Sequence, residues 1–144
     1  MRLTSSILGL LLSLMVGIAS AEVVVVVSVQ NPVEALSQAE LRDIYLGRMN
    51  RLPNGSAVTP LDQREGSAAH RTFYREYMAQ TPAQIKAHWS RLIFTGRGQP
   101  PRSVADDSAM ADAVAASPVA LGYLDSAYLD SAQVGDRLRV VAID

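Results

Sequence analysis

The sequence predicts a three-layer α/β domain built on a small mixed sheet. Three observations carry that reading. The run Val23-Val24-Val25-Val26-Val27 is continuous and β-branched, as in a strand buried on both faces. Apolar stretches at strand period and at helix period then follow in the order β-α-β-α-α-α-β-β, which puts helices against a sheet. Helix-start chemistry precedes the helical stretches, most clearly Ser37…Glu40 and Thr81-Pro82…Gln84.

Ahead of the valine run, Arg2, the apolar stretch Ile7 to Ile18 and Ala19-Ser20-Ala21 have the charged start, apolar core and small-residue cleavage site of a secretory signal peptide. The apolar stretch is shorter than the ~20 residues a membrane span needs. Residues 1–21 are therefore expected to be removed, leaving 22–144 as one exported, periplasmic domain. The chain has no cysteine, which excludes disulfides and thiolate chemistry.

Glu22 to Val29 reads as the first strand, buried on both faces as in a parallel sheet, and Asn31-Pro32 ends it. Ser37 and Glu40 form a capping box for a helix whose apolar face is Leu41, Ile44 and Tyr45, with Gly47 beyond its end. Asn50 to Ser56 is turn chemistry, and Val58 to Leu61 is the second strand. Thr81, Pro82 and Gln84 open a helix with an inner stripe of Ile85, His88, Trp89, Leu92 and Ile93. Thr95 to Pro101 is a stiff loop. Asp106 or Asp107 caps a helix that turns Met110, Ala113 and Val114 inward and ends before Pro118. Ala120 to Leu124 and Leu138 to Ile143 complete the sheet. Asp125-Ser126-Ala127 and Asp130-Ser131-Ala132 form a five-residue echo, too short for a repeat architecture.

The formal net charge is −1, which does not suggest a nucleic-acid partner. The charge is unevenly spread. Arg48 to Arg102 holds nine cations, eight of them Arg, against Asp62, Glu65 and Glu76, whereas Ser103 to Asp136 holds six aspartates and no cation. His70 and His88 are the only histidines and lack metal-ligand spacing, so no metal site is expected. Ser67 lacks the G-x-S-x-G elbow, and there is no P-loop and no G-x-G-x-x-G helix start. No enzyme is nominated and no cofactor is expected.

The basic half contains the most informative stretch, Leu61-Asp62-Gln63-Arg64-Glu65-Gly66-Ser67-Ala68-Ala69-His70. It reads as strand, tight turn, helix. Gly66 permits a sharp approach and Ser67 is a good N-cap. The first N–H groups of such a helix lack internal partners, and Arg64 brings a planar fork of charged donors. Together they suit a tetrahedral oxyanion. The alternative is that Ser67 only caps its helix while Arg64 pairs with Glu65 or Asp62.

The ordered set of motifs resembles the phosphate-binding type 2 periplasmic solute-binding proteins of ABC transporters. Asn31-Pro32-Val33, Leu36-Ser37 to Leu41 and Ile44-Tyr45-Leu46-Gly47-Arg48 are similar to the family's N-P-V-x-x-L-S-x-x-x-L-x-x-I-F-L-G-K segment. Arg64-Glu65-Gly66-Ser67 is similar to its Arg and Gly-Ser-Gly-Thr turn. Trp89, Ile93 to Gly98, Pro100-Pro101 and Leu121-Gly122-Tyr123 match a recurring downstream pattern. Two features depart from the family. Ala68 and Ala69 stand in place of its second Gly and Thr, removing one hydroxyl and adding a methyl beside the anion. The chain is also about half the family's length, with no counterpart of the first lobe's ligands. The resemblance implies a single lobe of that fold, with inorganic phosphate or a similar oxyanion held weakly by Arg64, Gly66, Ser67, Ala68 and Ala69, and a link to ABC-type phosphate uptake. In that picture the N–H groups of Ser67 to Ala69 donate alongside Arg64 and the Ser67 hydroxyl. The alternative is a non-transport structural or protein-interaction module that keeps the lobe fold; a protein partner, or a second copy completing the cleft, is the macromolecular partner that could accompany it.

Overall fold

A computed structural model describes residues 22–131 and 134–144. The expected signal peptide lies outside the described residues, as does Ala132 of the echo. Six strands form one sheet in the order β2-β6-β1-β5-β3-β4. They are β1 (Val23–Ser28), β2 (Ala35–Leu36), β3 (Thr59–Gln63), β4 (Arg102–Val104), β5 (Ala120–Asp125) and β6 (Leu138–Ile143). The helices are α1 (Gln38–Tyr45), α2 (Ala68–Phe73), α3 (Pro82–Phe94), α4 (Asp107–Ala115) and α5 (Ser126–Ser131), and α2 runs on into a π-helical turn at Tyr74–Met78.

The valine strand is central and buried, as its composition requires, but its neighbours correct the expected direction. β1 runs antiparallel to both, with Val25 opposite Tyr123 of β5 and Val141 of β6. Burial on both faces comes from the helical layers above and below and carries no information about strand direction. The β2–β6, β3–β5 and β3–β4 pairs are parallel, so the sheet is mixed.

Alternation along β1 divides the interior into two cores. Val23, Val25 and Val27 face α1 and α2 and pack with Leu41, Ile44, Tyr45 and Phe73. Val26 faces α4 and packs with Met110, Val114 and Leu124. The second core is thin where α4 crosses β5, because Gly122 leaves room for it. A Cβ there would overlap Met110 Sδ and stand 2.9 Å from Val114 Cγ2.

The capping boxes at Ser37 and Thr81 are both formed, and Asp106 caps α4. Beyond α1, Gly47 takes a left-handed φ of +73°, the usual helix-ending conformation.

α3 departs from its expected packing. Trp89 is buried, but Ile93 is 54% exposed and Phe94 92% exposed. The apolar stripe is real at Trp89 and half-covered at Ile85, His88 and Leu92; beyond them the helix runs past the body. The Trp89 ring rests on Gly47, where a Cβ would lie 3.1 Å from it. His88 Nε2 lies 2.8 Å from the Leu46 carbonyl oxygen. Trp89 belongs to neither core and serves as the anchor that holds α3 against the end of α1. β2, β4 and α5 were not among the expected elements; the first two contain two and three residues.

Candidate functional site

β3 delivers the candidate turn. Its last three residues, Leu61, Asp62 and Gln63, are buried, which fixes where the chain leaves the sheet. Gln63 pins the strand end, its Nε2 donating to Asp107 Oδ1 at 2.7 Å and to the Tyr123 carbonyl at 3.0 Å. Arg64 continues the edge pairing, with its N–H on the Val104 carbonyl at 3.0 Å. Its side chain is exposed and joins no ion pair among the described residues. Gly66 then takes φ +85°, with nothing within 4 Å of a Cβ built there. Glycine is required at this point by conformation and not by space.

Ser67 is the N-cap of α2, its Oγ accepting the His70 N–H at 3.2 Å. A hydroxyl that accepts a cap bond still has its own hydrogen to donate. The Ser67 N–H is not free, because it donates to the Arg64 carbonyl at 3.1 Å and closes the turn. The expected set of three N–H donors is therefore reduced to Ala68 and Ala69, which find no protein acceptor among the described residues. Ala68 is exposed, while Ala69 is buried in the first core. A second cation stands at the turn: Arg71 Nη1 donates to the Gly66 carbonyl. Sequence reasoning missed Arg71, although it lies one helical turn beyond Ser67, on the same side.

The other feature not foreseen lies beneath the turn. Asp62 is 8% exposed. Its Oδ1 accepts the Tyr123 hydroxyl and the Gln63 N–H, the latter at 2.8 Å, and its Oδ2 accepts the Tyr74 hydroxyl at 2.5 Å. His70 Nε2 lies 4.0 Å from Oδ2, with its ring stacked on Tyr74 at a centroid distance of 4.4 Å. Burial, and then the facing carboxylate of Asp62, push the Tyr74 and Tyr123 phenols far above their ordinary range. The Asp62 oxygens are thus engaged by hydroxyl and amide donors, and the carboxylate is a structural hub, not a free acid. His70, whose spacing from His88 argued against a metal site, is half-buried at this hub.

Beside the hub opens a cleft of about 620 Å³. The α2 side contributes His70, Arg71 and Arg75, and the α3 side contributes Ile85, Lys86 and Trp89. Of the five expected oxyanion residues none lines it; Glu65 and Arg71 connect the turn to its rim. Among the described residues no group of three or more His, Asp or Glu is placed to hold a metal ion.

The architecture is one lobe of the type 2 periplasmic binding protein fold. A putative phosphate ABC transporter substrate-binding protein from Clostridium perfringens, solved with bound phosphate, matches 86% of this chain at 16% identity and a TM-score of 0.66. An ABC-type phosphate transport receptor from Vibrio cholerae matches 85% at 17% identity and 0.63. PstS from Borrelia burgdorferi matches 86% at 11% identity and 0.65. The matches take in 45%, 46% and 47% of those three chains, so this chain spans less than half the length of each. At these identities the likeness is one of fold. No family model and no curated protein matches the sequence.

Proposed function

We propose that this chain is a solute-binding-protein-like domain that holds phosphate or a similar oxyanion weakly at the turn of Arg64, Gly66, Ser67, Ala68 and Ala69, in the periplasm and in the service of ABC-type phosphate uptake. The observation that carries the reading is the set of donors at that turn. The Ser67 hydroxyl hydrogen and the N–H groups of Ala68 and Ala69 are without protein acceptors among the described residues, and Arg64, exposed, opens the same turn. The solved relatives of this fold include one named as holding phosphate.

A single lobe leaves the site open to water, so a dissociation constant on the order of 0.1–1 mM is expected. At the tight end, 10 mM phosphate is about a hundredfold excess and adds about 2.7 kcal/mol of stability. For a domain of this size that raises the melting temperature by roughly 8–15 °C. Arg64→Ala should remove most of the rise. Ser67→Ala should remove less, since one neutral hydrogen bond is worth ~1 kcal/mol. The control is chloride at matched ionic strength. Equal stabilisation by chloride, or a parent-like response from Arg64→Ala, would end this reading.

One observation favours a second reading, a module that docks a protein partner or a second copy. Phe94 and Ile93 lie exposed at the tip of α3, and large apolar side chains so placed are common anchors of interfaces. Sedimentation of a monomer at high concentration, unchanged by Phe94→Ser, would exclude self-association through that tip.

A further inference from the structure

The cleft between α2 and α3 adjoins the oxyanion turn through Glu65 and Arg71 but has its own chemistry. Its volume of about 620 Å³ falls in the range of small-molecule sites. One wall is apolar, with Ile85 and Trp89 of α3 and Pro82 at its start. Pro100 and Pro101 continue that surface from the loop ahead of β4. The rim is cationic: Arg71 and Arg75 stand on the α2 side and Lys86 on the α3 side.

Which of these charges a ligand can use follows from their existing partners. Asp62, at the base, already accepts two tyrosine hydroxyls and a backbone N–H, so it offers little to a ligand cation. Arg71 holds the Gly66 carbonyl through Nη1 and keeps its other donors. Among the described residues Arg75 pairs only with Glu76, at 3.5 Å, in a pair that is largely exposed and correspondingly weak. Lys86 makes no ion pair among the described residues. Glu65 is the one rim carboxylate. Three rim cations against the single carboxylate of Glu65 leave the rim net positive, and it stands over an apolar wall.

We propose that this cleft binds a small amphipathic organic anion, with an aromatic or branched body against Trp89 and Ile85 and a carboxylate or phosphate-monoester head between Lys86 and the α2 arginines. The guanidinium groups can take either head as a fork, and Lys86 contributes a point charge from the opposite wall. A body of this kind distinguishes the ligand from inorganic phosphate, which has nothing to place on the apolar wall. The inference does not rest on Arg64, Gly66, Ser67, Ala68 or Ala69, none of which lines the cleft.

Trp89 is the only tryptophan, so its emission reports on the wall directly. The test titrates the protein with 3-phenylpropionate and phenyl phosphate as the two anionic probes. 3-Phenylpropanol and inorganic phosphate test body and head alone. At least one of the two anionic probes should give a saturable change in emission, with a dissociation constant on the order of 0.1–1 mM, and the tighter of the two identifies the head. 3-Phenylpropanol should bind at least roughly tenfold more weakly, the usual order for loss of a charge-assisted contact. Lys86→Glu should weaken the preferred anion by a similar factor, and Ser103→Phe, placed on the rim from an exposed position, should block it. Arg64→Ala should leave it unchanged. Equal binding of the neutral alcohol, no saturation with either anion, or parent-like affinity in Lys86→Glu would overturn the proposal. Stabilisation by inorganic phosphate that Arg64→Ala removes, alongside no binding of either aryl anion, would leave the oxyanion reading standing and this one refuted.

Discussion

Raising the pH should unfold this protein through its tyrosines. Tyr45, Tyr74 and Tyr123 are buried around Asp62, and burial first, then the charge of Asp62, holds all three phenols neutral well above the ordinary value. In the unfolded chain they ionise near about pH 10. The native state keeps protons that the unfolded state releases, so the stability they contribute is complete below about pH 10 and falls as the pH rises beyond it. Each such group gives a slope of about 1.4 kcal/mol per pH unit, hence about 4 kcal/mol per pH unit for three acting together. The loss reaches about 4 kcal/mol at pH 11 and about 8 kcal/mol at pH 12. A domain with ~5–15 kcal/mol in hand should therefore unfold cooperatively across that interval. Tyrosinate absorbance and far-ultraviolet circular dichroism, followed on the same samples, provide the assay. Three of the five tyrosines should ionise only as the helices melt. Tyr123→Phe should flatten the stability slope by about a third, while lowering stability at neutral pH by roughly 1.5–3 kcal/mol because Asp62 loses a donor. Smooth ionisation of all five tyrosines near pH 10 with the fold intact would refute the buried hub.

Gly122→Ala should cost roughly 1–3 kcal/mol in urea unfolding through overpacking against α4. Adding Met110→Ala should cost less in that background than alone, and strict additivity of the two would place the contact elsewhere. Trp89→Ala should speed amide exchange throughout α3 while β1 and β5 stay protected. A uniform loss of ~3–5 kcal/mol would instead mark Trp89 as core. Mass spectrometry of exported protein should find Glu22 at the N-terminus, and a full-length mass would rule out cleavage after Ala21.

The sequence disclosed those features whose cause is local. The capping boxes at Ser37 and Thr81, the Ser67 cap and the left-handed Gly47 each need only neighbours within a few residues, and each is present. The burial of β1 was equally legible, since five valines in a row have few other stable places. Strand direction was not, because it is decided by β5 and β6. β4 has a single buried residue, Val104, which leaves no alternation to detect. Ile93 was misplaced because helical spacing records which side a residue is on, not how far the neighbouring surface extends. At the candidate site, Gly66 and Ser67 were readable as turn and cap. The competing bond from the Ser67 N–H to the Arg64 carbonyl was not. The Asp62 hub was hidden because its partners, Tyr74 and Tyr123, come from a helix and a strand well separated along the chain.

The place of β1 has a consequence for the order in which this protein can be made. Among the described elements its strand comes first in sequence, yet both of its partners, β5 and β6, lie about a hundred residues further on. Until β5 and β6 arrive, the most β-prone segment has both edges open and no native partner. Contacts between distant parts of a chain form late, so the sheet cannot close around β1 until β5 and β6 are both available. The sheet is therefore completed only by long-range pairing, with β1 as the last central strand to find its neighbours. Meanwhile the valine segment keeps both edges open, and an unpaired β-prone edge is the part of a chain most apt to pair wrongly.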